Sequence, residues 1–182
     1  VGHYEQAENV FLESQKIQEL SPVKMNSHVS EFSQDFARFY SEQGRFDEAE
    51  LLYKRALHIE ETLSEQNKDE GVELADILSQ LAYLYVESER YTEAEPLFKR
   101  ALEIRKETLE ADDPSVAASL NDLAELYVAL EDFEKAEDLY QRILNLHETV
   151  HGSNHPEVAS NLIQLGALYQ KTGRYKDAGP LY

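Results

Sequence analysis

The chain has 182 residues, with 17 Lys and Arg against 36 Asp and Glu, a formal charge of −19, and neither Cys nor Trp. The missing Cys excludes a disulfide framework, a thiol nucleophile, thiolate-held zinc and iron–sulfur clusters. The acidic balance argues against nucleic acid and anionic membrane surfaces, which both call for a basic face. No apolar run approaches the ~20 residues of a membrane span, and only 7 Gly and 5 Pro leave little material for the tight turns of an all-β fold.

In chain order, the first element is a helix over about Gly2–Leu20, carrying Tyr4-Glu5-Gln6-Ala7-Glu8. A similar phrase returns as Phe46-Asp47-Glu48-Ala49-Glu50, Tyr91-Thr92-Glu93-Ala94-Glu95, Phe133-Glu134-Lys135-Ala136-Glu137 and Tyr175-Lys176-Asp177-Ala178-Gly179. The step is 42 residues, except for one of 45 that spans the polar stretch Ser64–Gly71, where a surface connection tolerates extra length. Ahead of the later phrases stand Phe36-Ala37-Arg38-Phe39-Tyr40, Leu81-Ala82-Tyr83-Leu84-Tyr85, Leu123-Ala124-Glu125-Leu126-Tyr127 and Leu165-Gly166-Ala167-Leu168-Tyr169. Such recurrence is the mark of a repeat architecture. The units fall at about 1–22 (partial), 23–65, 66–111, 112–153 and 154–182 (partial), forming one array of about four helix pairs with a fragment at each end.

Periodicity makes the units helical. Leu74, Ile77, Leu78, Leu81, Leu84 and Tyr85 recur at three and four residues, as do Ala94, Leu97, Phe98, Ala101 and Leu102. Small residues (Ala37, Ala82, Ala124, Gly166) face large ones (Tyr53, Phe98, Tyr140, Tyr182), as close packing demands. Gly44 and Gly173 close the first helix of a pair, whereas Glu89 and Glu131 hold the equivalent places without glycine's freedom. Pro114 and Pro156 fit a first helical turn, with Asp112, Asp113 and Asn154 as candidate caps.

The phrases L-A-x-L-Y, G-x-[YF]-x-x-A-x-x-[LY]-[YF] and A-L-x-I resemble the tetratricopeptide repeat. The 42-residue step, with Ala101–Leu109 and His155-Pro156-Glu157-Val158-Ala159, is similar to the long-helix variant of kinesin light chains. The resemblance implies an all-α, right-handed superhelical solenoid of antiparallel helix pairs. It also implies a concave groove lined by the first helix of each pair, which places Gln34, Arg38, Asp76, Ser79, Tyr83, Val86, Asn121, Glu125, Val128, Ile163 and Gln170 in a partner-binding face. Asn121 stands where kinesin light chains often carry Asn; the next such position is Asp122, a departure from that pattern. Helical spacing independently supports a common face within each pair.

Acids outnumber bases on that face: Glu31, Glu42, Asp76, Glu87 and Glu125 stand against Arg38 and Lys171. A carboxylate-ended ligand meets repulsion there. The expected partner is a protein or extended peptide that is uncharged or basic, held by Tyr83, Val86, Val128 and Ile163 and by backbone bonds to Asn121 and Gln34. The plainer reading of these acids is a solvated surface, and that of the periodic apolar residues is core.

His147-Glu148-Thr149-Val150-His151 is a literal H-E-x-x-H, whose two His share a helix face, with His155 four residues on. The repeat explains it otherwise, since His147 and His151 match Arg105 and Leu109 at a helix end closed by Gly152. A helix end facing a loop is expected to lack the cleft and ligand geometry of a metalloenzyme. No metal, cofactor or catalytic residue is therefore expected; there is also no phosphate loop and no G-x-S-x-G.

The expected function is a non-catalytic protein-binding scaffold segment. The alternative is a regulatory or sensor segment fused to an enzyme or signalling domain elsewhere in a longer chain. Val1-Gly2 carries no signal pattern, and neither end shows a polar cap. Further repeats, a cytoplasmic location and end-to-end self-association of the bare ends are the corresponding expectations.

Overall fold

The computed structural model describes Val10, Glu13 and residues 27–64 and 71–182; among these every regular element is helical and none is a strand. The expected opening helix and most of the polar stretch before Gly71 lie outside the described residues. The elements are α1 (Ser27–Ser41), α2 (Phe46–Ser64), α3 (Gly71–Glu87), α4 (Tyr91–Thr108), α5 (Pro114–Ala129), α6 (Phe133–His151), α7 (Pro156–Lys171) and α8 (Tyr175–Ala178), with a final 3-10 turn at Gly179–Leu181. The chain forms two compact units, Val1–Ile77 and Leu78–Tyr182, whose boundary falls within α3.

In the first unit α1 packs on α2. A connection of only four residues between two long packed helices makes them antiparallel. Val29, Ala37 and Tyr40 of α1 meet a face of α2 that buries Ala49, Leu52, Tyr53, Ala56 and Ile59. Ala37, Ala49 and Ala56 are wholly inaccessible, so these are the points of closest helix approach.

The second unit stacks α4 on α5, α5 on α6, α6 on α7 and α7 on α8. Its core holds Leu81, Ala82, Phe98, Ala101, Leu123, Ala124, Tyr140, Ile143, Leu165 and Leu168, most of them less than 5% exposed. Each large aliphatic or aromatic side chain so buried contributes about 1.5–3 kcal/mol. The small-against-large pairing is direct at Gly166, where a Cβ would lie 2.9 Å from the Tyr182 ring.

The four turns inside the pairs share one construction. The N–H groups of Arg45, Arg90, Asp132 and Arg174 donate to the carbonyls of Tyr40, Tyr85, Tyr127 and Tyr169, five residues earlier, at 2.7–2.9 Å. This bond belongs to a helix ending through one left-handed residue. That residue is Gly44 (φ 72°) or Gly173 (φ 75°) in two turns, and Glu89 or Glu131 (both φ 59°) in the others. The absence of glycine therefore did not change the turn; it made two turns costlier, by about 1 kcal/mol each. A cation over each tyrosine ring offsets part of that cost: Arg45 on Tyr40, Arg90 on Tyr85, Lys135 on Tyr127 and Arg174 on Tyr169, at 4.0–4.8 Å.

Helices α5 and α7 start on proline as expected, but their caps differ. Asp113 caps α5, its carboxylate accepting from the Ser115 N–H at 2.8 Å, with Asp112 left exposed. At α7 the cap is His155, whose Nδ1 accepts from the Glu157 N–H at 3.4 Å; the expected Asn154 is one residue too early.

Candidate functional site

Among the first unit's expected face residues, Arg38 is exposed and pairs with Asp35 at 3.8 Å, and Asp76 is half-buried. Gln34 is only 6% exposed. Its amide donates to Ser30 Oγ and to Glu73 Oε1, both at 3.4 Å, so it serves the packing of its own unit.

The second unit carries most of the expected face. Tyr83 and Ile163 are 46% and 55% exposed, unusual for side chains of that size on stacked helices, while Val86 and Val128 are half-buried and Gln170 is exposed. Tyr83 rests edge-on against Phe98, with ring centroids 5.1 Å apart, and its hydroxyl donates to Asp122 Oδ1. Burial raises the Asp122 carboxyl above the usual range, although the Tyr83 hydroxyl and Arg105 pull the other way. Burial and the Asp122 charge both push the Tyr83 phenol up.

Ser79, also expected on this face, is 6% exposed and accepts from Arg105 Nη1 at 3.0 Å. The same nitrogen donates to Ser119 Oγ at 2.6 Å, so Ser79 belongs to a buried link tying α3, α4 and α5. Helical spacing did not distinguish Ser79 from its exposed neighbours, because a small hydroxyl beside a large aromatic reads as polar surface until its partner is seen.

Between α5, α6 and α7 lies a depression of about 210 Å³, bounded by Glu125, Val128, Tyr140, Gln164, Ala167, Leu168 and Lys171. It joins three expected face residues, Glu125, Val128 and Lys171, to three not expected on that face: Tyr140, Gln164 and Leu168. Tyr140 lines it, buried to 5% exposure, with its phenol pushed up to about 12 by burial and then by Glu125.

Asn121 connects this depression with the next helix. Its amide donates to Glu125 Oε1 at 2.8 Å, and its carbonyl accepts from Gln164 Nε2 at 2.9 Å. Gln164 Oε1 accepts from Asn161 Nδ2 at 3.2 Å, and Asn161 Oδ1 meets His147 Nδ1 at 2.6 Å. With the proton on Nδ1 of His147, every donor in this run points the same way and the run ends on a carboxylate. Such a satisfied chain fixes each amide's orientation.

At the H-E-x-x-H string α6 ends as expected, with Gly152 at φ 82°. The expectation of no cleft there was wrong. A cavity of about 270 Å³ lies between α5, α6 and the start of α7, bounded by Asp112, His147, His151, Glu157 and Asn161 among others. The His155-Pro156 start brings α7 back against the end of α6, which closes one side of this space.

A family model described as tetratricopeptide repeat matches residues 73–149 and 123–182, and a second of the same description matches 36–66. No curated protein sequence matches. Solved structures with this fold include BtubC (BKLC) from P. vanneervenii, at TM-score 0.77 and 24% identity over 99% of this chain and 70% of that one. A kinesin light chain-like protein of Podosopora anserina with nearly identical TPR-like repeats has TM-score 0.82 and 23% identity, over 99% and 84%. The apo form of RapI has TM-score 0.80 and 20% identity, over 99% and 47%.

Proposed function

The chain belongs to the tetratricopeptide repeat family, and from that premise we propose that it is a non-catalytic scaffold segment that binds an extended protein segment on the face of its second unit. Repeats of this family generally serve as protein-interaction scaffolds. One observation supports the site in particular: Tyr83 on α3 and Ile163 on α7 expose large apolar surface, and Val128 on α5 lines a depression shared with α7. Exposed apolar groups gathered among polar ones are what a docking surface needs.

The charge around them sets the ligand's chemistry. Asp122 and Glu125 border the apolar groups, with Glu87 also exposed on α3, and Lys171 is the cation of the depression. A basic segment gains from this field, an uncharged one is not opposed by it, and an acidic one is repelled. Glu125 already accepts from Asn121, which leaves further lone pairs of a carboxylate for a ligand's N–H or cation.

A peptide array graded in charge tests the proposal. Basic and neutral peptides with apolar anchors should give the strongest signals, and Ile163→Asp should weaken them by about tenfold or more, as loss of an anchor does. Best binding by acidic peptides, or binding indifferent to Ile163→Asp, would contradict it.

A further inference from the structure

We propose that His151, His155 and Glu157 form a binding site for one divalent late first-row transition-metal ion, Zn2+ being the natural probe, which clamps the end of α6 to the start of α7. The three residues reach one another because Gly152 turns the chain at positive φ and Pro156 restarts it three residues after Ser153. One ligand atom from each lies within 4.8 Å of the others. His151 Nε2 is 2.9 Å from Glu157 Oε2, and His155 Nδ1 is 3.7 Å from that same oxygen. The two imidazoles are stacked, with centroids 4.4 Å apart and planes inclined by 24°.

Tetrahedral zinc with bonds of about 2.0–2.1 Å places its donors roughly 3.3 Å apart. Two of these spacings straddle that value; His151 and Glu157 are exposed enough to adjust, and His155 Nδ1 would exchange its 3.4 Å cap bond from the Glu157 N–H for the metal. Two imidazole nitrogens with one carboxylate oxygen form a borderline donor set. It suits Zn2+ and its neighbours and not Mg2+ or Ca2+, which take oxygen ligands.

The surroundings agree. Glu157 Oε2 already lies 2.9 Å from His151 Nε2, so a metal would not have to assemble these two ligands from afar. Asp112 and His147 border the same cavity, adding an acidic rim and an imidazole. His147 is held through Nδ1 by Asn161, which sets its ring orientation. A net charge of −19 raises the local concentration of cations.

The ligand set differs from the one that sequence spacing suggests. H-E-x-x-H would use His147 and His151 on one helix, whose rings lie 5.9 Å apart. The structure instead joins His151 to two residues beyond the turn.

Zinc titrated into the tag-free chain by calorimetry, with dialysis and elemental analysis for stoichiometry, tests this. The expected result is one Zn2+ per chain at a micromolar Kd, of the order seen for about −8 kcal/mol of binding, with no binding of Mg2+. Zinc should also raise the unfolding temperature, since it binds only the folded turn. His151→Gln, His155→Asn and Glu157→Gln should each weaken zinc by about tenfold or more as a ligand is lost. Asn keeps an oxygen to cap α7, and circular dichroism verifies the fold of each variant. His147→Ala should stay within about threefold of the parent, being a neighbour and not a ligand. Absence of saturable zinc binding, a stoichiometry other than one, or affinity that survives His155→Asn overturns the proposal.

Discussion

The connections from α4 to α5 and from α6 to α7 are equivalent places in successive repeats, yet their chemistry differs. Arg105 fills the first, 7% exposed and bonded to Ser79 and Ser119. At the same position in the second stands His147, less buried and bonded through Nδ1 to Asn161. Asp113 caps the helix after the first, and His155 caps the helix after the second. The backbones part as well, since α4 ends at an extended Leu109 (φ −115°) and α6 at Gly152 with φ 82°, yet each connection sets a polar side chain across to the next helix. What that side chain is decides whether the connection is a fixed cationic tie or an imidazole cluster able to take a ligand.

The largest expected effect breaks the first tie. Arg105→Ala removes a buried guanidinium, takes the donor from the Ser79 hydroxyl, leaves Ser119 only its bond to the Ser115 carbonyl and opens a cavity, a loss of about 3 kcal/mol in urea unfolding. His147→Ala should cost only about 1 kcal/mol, the value of one hydrogen bond and partial packing. Equal losses would show that the two connections are energetically alike and remove the contrast.

Next in size are the two turns that use Glu where glycine is easier. Glu89→Gly and Glu131→Gly should each stabilise the chain by about 0.5–1 kcal/mol, the steric relief exceeding the entropy glycine adds to the unfolded state. Destabilisation by either, measured by the same unfolding, would mean that the Glu side chain repays its backbone.

The smallest effects are titrations, and two acids in the second unit should act with opposite sign. Glu95 has a lowered carboxyl pKa, because it bonds Lys99 and the Tyr127 hydroxyl. Its contribution is present above the unfolded pKa and is lost as pH falls through the folded one. Asp122 is raised by burial, so its charged form costs stability at neutral pH and protonation relieves that cost as pH falls through the raised value. Asp122→Asn should therefore gain up to about 1 kcal/mol at pH 7, an advantage that disappears below about pH 3 where both states are protonated. A gain of the same size at every pH would exclude titration as its cause.

Much of this was readable from residue order. The 42-residue step and the apolar periods gave helix pairs, because burial of one face is written into spacing. The turn positions were also visible, but the left-handed Glu89 and Glu131 were not, since the stacks beside them, Arg90 on Tyr85 and Lys135 on Tyr127, form only in the folded turn. Gln34 and Ser79 read as surface because the same helical angle can point outward or into the neighbouring helix, depending on side-chain length and partner. His155 and Glu157 read as family phrase and helix start; only the reversal at Gly152 shows that they meet His151.

The proposed peptide-binding face is tested most directly by fluorescence anisotropy with two labelled peptides of equal length and apolar content, one carrying Lys and the other Glu at the variable positions. The basic peptide should bind more tightly by about tenfold at low salt, and the gap should narrow as salt screens the carboxylates of Asp122 and Glu125. Equal affinities at low salt, or tighter binding of the acidic peptide, would contradict the account.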